Sequence, residues 1–266
     1  MIPILFSSCG FGLSSYTAFL SFACIIGLAS ALLLRRVLDP GVEFTALGAV
    51  PMFIGALFGA RLFWILQYGS PYDVWRALFF WEGGWVFYGG FVGGLIGVAG
   101  YLRFVGTGIV RGYDVLAPAL ALGIAITRVG CFLNGCCWGE ITDVPWAVRY
   151  PMKLTPVVFD HYQRGLLTPD SISTLPVHPV QLYNVSTNLV LFFVCLVALK
   201  RKRYDGQVSL TFLCGYGFFR FITEFFRGDS PEFLSGMTLS QVISLGLFLL
   251  GSGLLFARAV KGTVHH

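Results

Sequence analysis

Residues 14–34 read SSYTAFLSFACIIGLASALLL and contain no Asp, Glu, Lys or Arg. The hydrocarbon core of a bilayer requires a helix of about 20 mainly apolar residues, so this run predicts a membrane-spanning helix. Six further apolar runs follow at 45–68, 85–104, 115–134, 180–199, 208–226 and 238–258. The sequence therefore predicts an all-α polytopic membrane protein with about seven transmembrane helices.

The composition of the chain supports this prediction. Its 266 residues are 56% apolar and 12% charged, with a mean hydropathy of +0.77. Soluble domains are about 45–50% apolar and about 25% charged, which excludes an ordinary water-soluble domain. A disordered chain is excluded as well, and 7 Cys residues are too few for a disulfide-stapled miniprotein. The net charge of +5 does not indicate nucleic acid, because basic residues mainly set the orientation of a membrane protein.

The Lys and Arg residues in the loops predict the orientation of the chain. The side richer in basic residues holds Arg35, Arg36, Arg103, Arg111, Lys200, Arg201, Lys202, Arg203, Arg258 and Lys261. The other side holds Arg76, Arg149, Lys153, Arg164 and Arg227. Because the cytoplasmic side carries the excess of basic residues, we expect the N-terminus outside and the C-terminus in the cytoplasm.

The longest hydrophilic stretch, about 139–177, lies on the predicted outer side. It is interrupted by five prolines and is too irregular for a span. We expect it to form an extracytoplasmic head insert between the fourth and fifth spans, within a single integral-membrane domain of residues 1–266. The first ten residues, MIPILFSSCG, lack a basic segment and are expected to form an interfacial stretch before the first span.

Ionisable residues inside the apolar runs are the first candidates for function. A charge at bilayer depth costs at least about 2.5–3.5 kcal/mol, so such a residue is expected to be paired or functional. Four residues qualify: Arg61, Arg128, Arg220 and Glu224. Arg220 and Glu224 are four residues apart and form either a structural ion pair or part of a site. Arg61 and Arg128 have no carboxylate within a helical turn, and a guanidinium suits a phosphate, so we expect a phospholipid as guest.

Other polar residues and a glycine-rich stretch lie near the ends of the same predicted helices. The polar residues are Asn134, His178, Gln181, Tyr183 and Tyr216. His178 lies beside Pro179, where a His is either a hydrogen-bonded cap or a site residue. The glycines within 89–97 suit close packing between helices.

Four motifs occur in order along the chain. They are WEGG at 81–84 followed by YGG at 88–90, RVGCFLNG at 128–135 followed by WG at 138–139, HPVQLY at 178–183, and GYGFFR at 215–220 followed by EFFR at 224–227. Together they resemble the motifs of the prolipoprotein diacylglyceryl transferase family. Gly59, Ala60, Arg61 and Tyr16 also have counterparts. The order of the motifs over roughly residues 16–230 makes the resemblance specific.

The resemblance implies a seven-helix enzyme of the bacterial inner membrane with a periplasmic head. Family members transfer the diacylglyceryl group of phosphatidylglycerol to the lipobox cysteine of a secreted prolipoprotein, which forms a thioether and releases glycerol phosphate. We expect no cofactor and no metal. Two alternatives stay open: a phospholipid-dependent transferase with a different acceptor, and a non-catalytic phospholipid-binding membrane protein.

The motif positions imply roles for individual residues. Arg128 and Arg220 are expected to hold the phosphate and stabilise the leaving group, with Glu224 orienting Arg220 and Tyr88 at the position of the family's His. The residues expected to bind the phospholipid are Tyr16, Arg61, Gly89, Gly90, Asn134, Gly139, His178, Gln181 and Tyr216.

Three positions depart from the family's pattern and suggest a divergent branch. Tyr88 replaces a His, and a phenol is a poor general base near neutral pH. Cys131 replaces an Asn, and Cys136 replaces a Glu and is followed by Cys137. These cysteines are interpreted as apolar packing, as a disulfide or metal site on the oxidising outer side, or as a thiolate that accepts the lipid. No His lies nearby in sequence to complete a zinc set.

Overall fold

The computed structural model describes residues 4–8, 11–69, 71–79, 84–153, 155–168, 170–234 and 236–263. The described chain is mostly helical, and seven of its helices have at least 18 residues. The helices are α1 (Ser15–Leu38), α2 (Ala49–Tyr68), α3 (Phe87–Phe104), α4 (Ile109–Asn134), α5 (Pro156–Gln163), α6 (Val180–Lys200), α7 (Gln207–Glu224) and α8 (Leu239–Thr263). Short 3-10 helices at Ala46–Gly48 and Pro71–Leu78 flank α2.

Five stretches of the described chain are long and apolar enough to cross a membrane. They are Ser15–Leu38, Ala46–Tyr68, Ile109–Asn134, Val180–Lys200 and Leu239–Arg258. Most of their residues are not buried inside the protein, and such apolar surface is typical of contact with lipid. These helices confirm the predicted helical, polytopic membrane protein.

The two other long helices, α3 and α7, coincide with the predicted runs 85–104 and 208–226 but do not belong to these five stretches. Glycines are frequent in α3, and α7 carries Arg220 and Glu224. Both features lower the apolar character that a span requires.

Helix α8 begins one residue later than the predicted run 238–258. The backbone N–H of Gln241 donates to the Thr238 hydroxyl at 3.2 Å, and the N–H of Thr238 donates to the Gln241 side chain at 2.9 Å. This reciprocal pair is a capping box, which fixes the first turn of the helix. Thr238 itself belongs to strand β4 (Met237–Thr238), which pairs with β3 (Glu232–Leu234).

The chain divides into two compact units, Leu28–Val115 on the one hand and Met1–Gly27 with Leu116–His266 on the other. In the first unit, α2 and α3 approach backbone to backbone. A Cβ atom on Gly93 would collide with the carbonyl group of Gly55, and a Cβ atom on Gly59 would collide with that of Gly89. The prediction that these glycines serve close helix packing is therefore confirmed.

In the second unit, residues 139–177 form a small folded segment. It contains the short helix α5 and isolated bridges that pair Val177 with both Ile141 and Val148. Its buried core consists of Tyr150, Val157 and Val177 together with Trp138, which directly precedes the segment. The segment is irregular, as the prolines predict. The chain before α1 forms an antiparallel hairpin of β1 (Ile4–Ser8) and β2 (Phe11–Ser14).

Candidate functional site

A pairing of three backbone segments joins the ends of three helices in the second unit. The N–H of Gly139 donates to the carbonyl of His178 at 3.1 Å, and the N–H of Glu140 donates to that of Phe226 at 2.8 Å. A Cβ atom on Gly139 would lie 2.5 Å from the His178 carbonyl oxygen, so only glycine fits there. The pairing places the C-terminal ends of α4 and α7 beside the N-terminal end of α6. Close backbone packing thus explains Gly139.

Arg220 and Glu224 form an ion pair on α7, with 2.8 Å between Nη2 and Oε2. The Glu224 Oε1 atom accepts hydrogen bonds from the hydroxyls of Ser230 at 2.8 Å and Thr238 at 3.0 Å. Arg220 Nη2 also donates to Ser240 at 3.3 Å, whereas its buried Nη1 atom has no hydrogen-bond partner among the described residues. Buried polar atoms are normally satisfied, so this atom is available for an anion.

Arg227 also contacts this carboxylate, although the sequence did not single it out as a site residue. Its Nη1 atom lies 3.7 Å from Glu224 Oε2, and it forms a two-fold hydrogen bond with Asp229 at 2.8 and 3.0 Å. Burial opposes the charge, but the hydrogen bonds and charge of Asp229 raise the pKa of Arg227 above its ordinary value. The spacing of three residues from Glu224 was the signal that could have identified it.

Arg128 differs from the other two arginines of this unit. Within the part of the chain that the structure describes, no carboxylate pairs with its guanidinium. It nevertheless interacts electrostatically with both Arg220 and Arg227. Three guanidinium charges therefore share this region with the two carboxylates of Glu224 and Asp229, which leaves a net charge of +1 when all are ionised.

Three cysteine sulfurs meet at the C-terminal end of α4. The Sγ atoms of Cys131, Cys136 and Cys137 all lie within 4.8 Å of one another, and the three residues are free cysteines. The N–H of Cys136 donates to the Cys131 carbonyl at 3.2 Å, which folds the chain back over the helix end. Hydrogen bonds from the other two thiols, aided by the charges of Arg128 and Arg227, lower the pKa of Cys137.

The first residues of α6 support this cysteine cluster. The amide of Gln181, which is 1% exposed, donates to the Cys136 carbonyl at 2.8 Å and to the Tyr150 hydroxyl at 3.0 Å. His178 Nδ1 lies 3.1 Å from the Tyr183 hydroxyl, so this His is hydrogen-bonded within the protein. The amide nitrogen of Gln181 is thus engaged by protein groups, and through them Gln181 positions Cys136.

Tyr16 and Asn134 belong to the same unit as Arg128, Arg220 and Arg227. Tyr16 interacts electrostatically with Arg128 and the three cysteines, and its side chain is 37% exposed. The Asn134 side chain interacts with the Cys136 thiol.

A narrow crevice between α6 and α7 is lined in part by Arg220. Its lining consists of Asn184, Thr187, Asn188, Leu191, Tyr216, Phe219 and Arg220. Asn184 and Asn188 are buried polar residues outside the predicted site. Their signal was present, because two amides four residues apart interrupt an apolar helix. A second cavity of about 320 Å³ lies at the folded segment and is lined by Trp138, Gly139, Glu140, Ile141, His161, Arg164 and Gly228.

The remaining predicted site residues belong to the unit Leu28–Val115. Arg61 is 3% exposed, and its Cζ atom lies 5.0 Å from the centre of the Trp64 ring, a cation–π contact. Tyr88 is 40% exposed. Gly89 and Gly90 face α2, and a Cβ atom on Gly90 would lie 3.3 Å from the Ala60 side chain. Helix packing explains both glycines.

Comparison with known proteins gives the family. A family profile described as prolipoprotein diacylglyceryl transferase matches residues 3–257. A relative from Neisseria meningitidis serogroup C (strain 053442), named phosphatidylglycerol–prolipoprotein diacylglyceryl transferase, is 34% identical over 217 residues, 74% of each chain. Relatives of the same name from Proteus mirabilis (strain HI4320) and Bordetella avium (strain 197N) are 32% identical over 209 residues and 37% identical over 206 residues. These matches cover 75% and 74% of this chain and 71% of each relative.

The predicted resemblance is therefore confirmed: ordered motifs, a helical membrane fold and a profile match over nearly the whole length place this chain in the prolipoprotein diacylglyceryl transferase family.

Proposed function

We propose that the protein transfers the diacylglyceryl group of phosphatidylglycerol to the lipobox cysteine thiol of a prolipoprotein. The observation that carries this proposal is the arginine cluster, defined as Arg128, Arg220 and Arg227, with its net charge of +1 after Glu224 and Asp229 are counted. A phosphodiester headgroup carries one negative charge, and guanidinium groups bind its oxygens through charge-assisted hydrogen bonds. The names of the relatives support the same substrates.

The reaction is a substitution at the glycerol carbon that bears the phosphate ester. The acceptor thiol loses its proton to water, and the resulting thiolate attacks this carbon. A sulfur–carbon bond forms while the carbon–oxygen bond breaks, and its electron pair leaves with the phosphate oxygen. The products are the thioether and glycerol phosphate, whose phosphate carries a second negative charge as it departs. Catalysis therefore requires cations that stabilise this growing charge.

Arg128 and Arg220 are assigned to the phosphate. Arg128 has no carboxylate partner among the described residues, and Arg220 retains an unsatisfied Nη1 atom. Guanidinium groups bind phosphate oxygens with two parallel hydrogen bonds, which fixes orientation as well as charge. Glu224 acts as a positioning residue, because it holds Arg220 by the opposite edge.

The lipid is proposed to enter beside the same cluster. Tyr16, Asn134 and Tyr216 belong to the unit that contains the arginines, and Tyr216 lies with Arg220 in the crevice between α6 and α7. These three residues are assigned to the glycerol parts of the lipid. The roles predicted for Arg61 and Tyr88 remain predictions.

The proposed setting is the bacterial inner membrane, with seven spans and residues 139–177 as a periplasmic head. The helices α3 and α7 complete the seven, and both have the length of about 18 residues that a short span requires. The excess of Lys and Arg on alternate loops supports a periplasmic N-terminus and a cytoplasmic C-terminus.

The test is incubation of the purified protein with phosphatidylglycerol and a synthetic lipobox peptide. A peptide that gains the mass of the diacylglyceryl group, together with an equal amount of glycerol phosphate, supports the proposal. Glycerol phosphate without modified peptide would indicate a different acceptor, and lipid binding without turnover would indicate a binding protein. Tyr88→His separates the first two outcomes, because a gain in turnover on the peptide shows that the acceptor is unchanged.

A further inference from the structure

The spacing of the three cysteine sulfurs is that of a metal site. A zinc–sulfur bond is about 2.3 Å long, so two sulfurs on a tetrahedral zinc ion are about 3.8 Å apart. The Sγ atoms of Cys131, Cys136 and Cys137 all lie within 4.8 Å of one another, which leaves only small shifts to reach that geometry. No other His, Cys, Asp or Glu of the described chain joins this group.

The backbone holds the three cysteines in this arrangement. Gly135 and Cys137 adopt positive φ angles of 71° and 58°, and few residues other than glycine do so. The N–H of Cys136 donates to the Cys131 carbonyl. The Cys136 carbonyl in turn accepts a hydrogen bond from the buried Gln181 amide. The positive φ of Cys137 is a local strain, which occurs where the surrounding contacts maintain it, often at a binding site.

The charges around the cluster suit a metal bound by thiolates. Three thiolates and one divalent ion carry a net charge of −1. Arg128 and Arg227 both interact electrostatically with Cys137, so two guanidinium groups face this negative charge. Such cations stabilise a sulfur-rich site that would be unfavourable beside apolar helices.

We propose that Cys131, Cys136 and Cys137 bind a zinc ion through their sulfur atoms and that its fourth position takes the acceptor thiol of the transfer reaction. Zinc sites in enzymes have three protein ligands and keep the fourth position for water or substrate. The identity of the fourth ligand rests on the proposed function, whereas the three-sulfur site does not.

The zinc ion would supply the thiolate that the substitution requires. A thiol that binds zinc gives up its proton to water, so the acceptor sulfur would become a nucleophile at neutral pH. Attack on the glycerol carbon converts this sulfur into a thioether and releases glycerol phosphate. The thioether carries no charge and binds zinc weakly, so the product leaves and water returns to the fourth position. No electron is transferred in this sequence.

The first test measures zinc in the protein purified from membranes without chelator and under a phosphine reductant. About one zinc ion per chain is expected by mass spectrometry of the metal. Cys136→Ser and Cys137→Ser should each lower this content by more than about tenfold, while Cys24→Ser, outside the cluster, should leave it unchanged. Wild-type protein without bound zinc, or a disulfide within the cluster of the untreated protein, overturns the proposal.

The second test uses cobalt in place of zinc and does not depend on any variant. Cobalt bound by three thiolates should show sulfur-to-metal charge-transfer absorption and the intense visible bands of a tetrahedral ion. A lipobox peptide should shift these bands, and a peptide with Ser in place of its Cys should not. If the bands appear but the lipobox peptide does not shift them, the three cysteines bind the metal and the acceptor thiol is not its fourth ligand. Thioether formation that persists after chelation, with zinc absent, overturns the role of zinc in the transfer reaction and leaves the three-sulfur site and the proposed function intact.

Discussion

The Nη2 atom of Arg220 lies 2.8 Å from a carboxylate oxygen of Glu224, one turn further along α7. Both side chains are buried, at 10% and 0% exposure, and the carboxylate also accepts hydrogen bonds from two hydroxyl groups. The pair fixes one edge of the guanidinium and leaves the Nη1 atom without a partner among the described residues. Arg128 has no such carboxylate there, so the two arginines should respond differently to mutation.

Arg128→Ala is expected to abolish most of the transferase activity without unfolding the protein. Loss of one group that stabilises the charge of the leaving phosphate lowers kcat by about 10²–10³-fold. Because no described carboxylate is left unpaired, the melting temperature should change little. Rates of peptide modification and thermal unfolding in detergent measure both effects.

Arg128→Lys serves as the conservative variant and should recover only part of the rate, since lysine keeps the charge but loses the planar fork. Arg201→Ala, an exposed arginine after α6, is the control and should be fully active. An Arg128→Ala enzyme with wild-type activity would refute the assignment of Arg128 to the phosphate.

Glu224→Ala is expected to destabilise the protein itself. It leaves the buried guanidinium of Arg220 without its carboxylate, and removal of one partner of a buried ion pair costs about 3–5 kcal/mol. The melting temperature should therefore fall strongly. Glu140→Ala, which removes an exposed carboxylate, is the matched control and should unfold like the wild type. Equal melting temperatures for the two variants would contradict the structural role of Glu224.

Gly139→Ala is expected to disturb the joint between α4, α6 and α7. Its methyl group would lie 2.5 Å from the His178 carbonyl oxygen and 2.7 Å from that of Phe226, neither of which can move alone. Overpacking of this kind costs about 1–3 kcal/mol. Gly246→Ala in α8 meets no atom within 4 Å and should have no such cost. Unfolding curves of both variants measure the difference in stability. A Gly139→Ala protein as stable as the wild type would show that the backbone pairing is looser than the structure indicates.

Gly93→Ala tests the close approach of α2 and α3. The added methyl group would collide with the Gly55 carbonyl and lie 3.0 Å from the Gly59 Cα atom, so the helices must separate. We expect a lower melting temperature and a lower yield of folded protein in the membrane. Gly100 lies on the same helix, and a Cβ atom added there meets no atom within 4 Å, so Gly100→Ala provides the comparison. A yield and stability equal to those of Gly100→Ala would count against glycine-mediated packing.

Acidification should destabilise the wild type more than the His161→Phe variant. His161 is 2% exposed, and its burial lowers the pKa of the imidazole below the ordinary value of about 6.5. Below that pH the unfolded chain binds a proton that the folded protein resists, so stability falls as the pH falls. Melting temperatures between about pH 7.5 and pH 5.5 should therefore decrease more for the wild type. Parallel decreases would show that His161 takes up its proton without strain.

The sequence by itself determined the helical membrane fold, because the length of an apolar run and the spacing of charges are local properties of the chain. The apolar run 14–34 falls on α1, and the four-residue spacing of Arg220 and Glu224 already made an ion pair one of two interpretations; the structure shows that pair. The ordered motifs were also sufficient to predict the family.

Only the tertiary structure decided which distant residues meet. It paired Gly139 with His178 and Phe226, and it directed the Gln181 amide at Cys136. It also brought three cysteine sulfurs together, because the chain reverses at Gly135 and Cys137 after α4. Such contacts depend on the fit between segments that lie far apart in sequence and on backbone turns at the ends of helices. Apolar periodicity records neither of these, since it reports only which face of a helix avoids water.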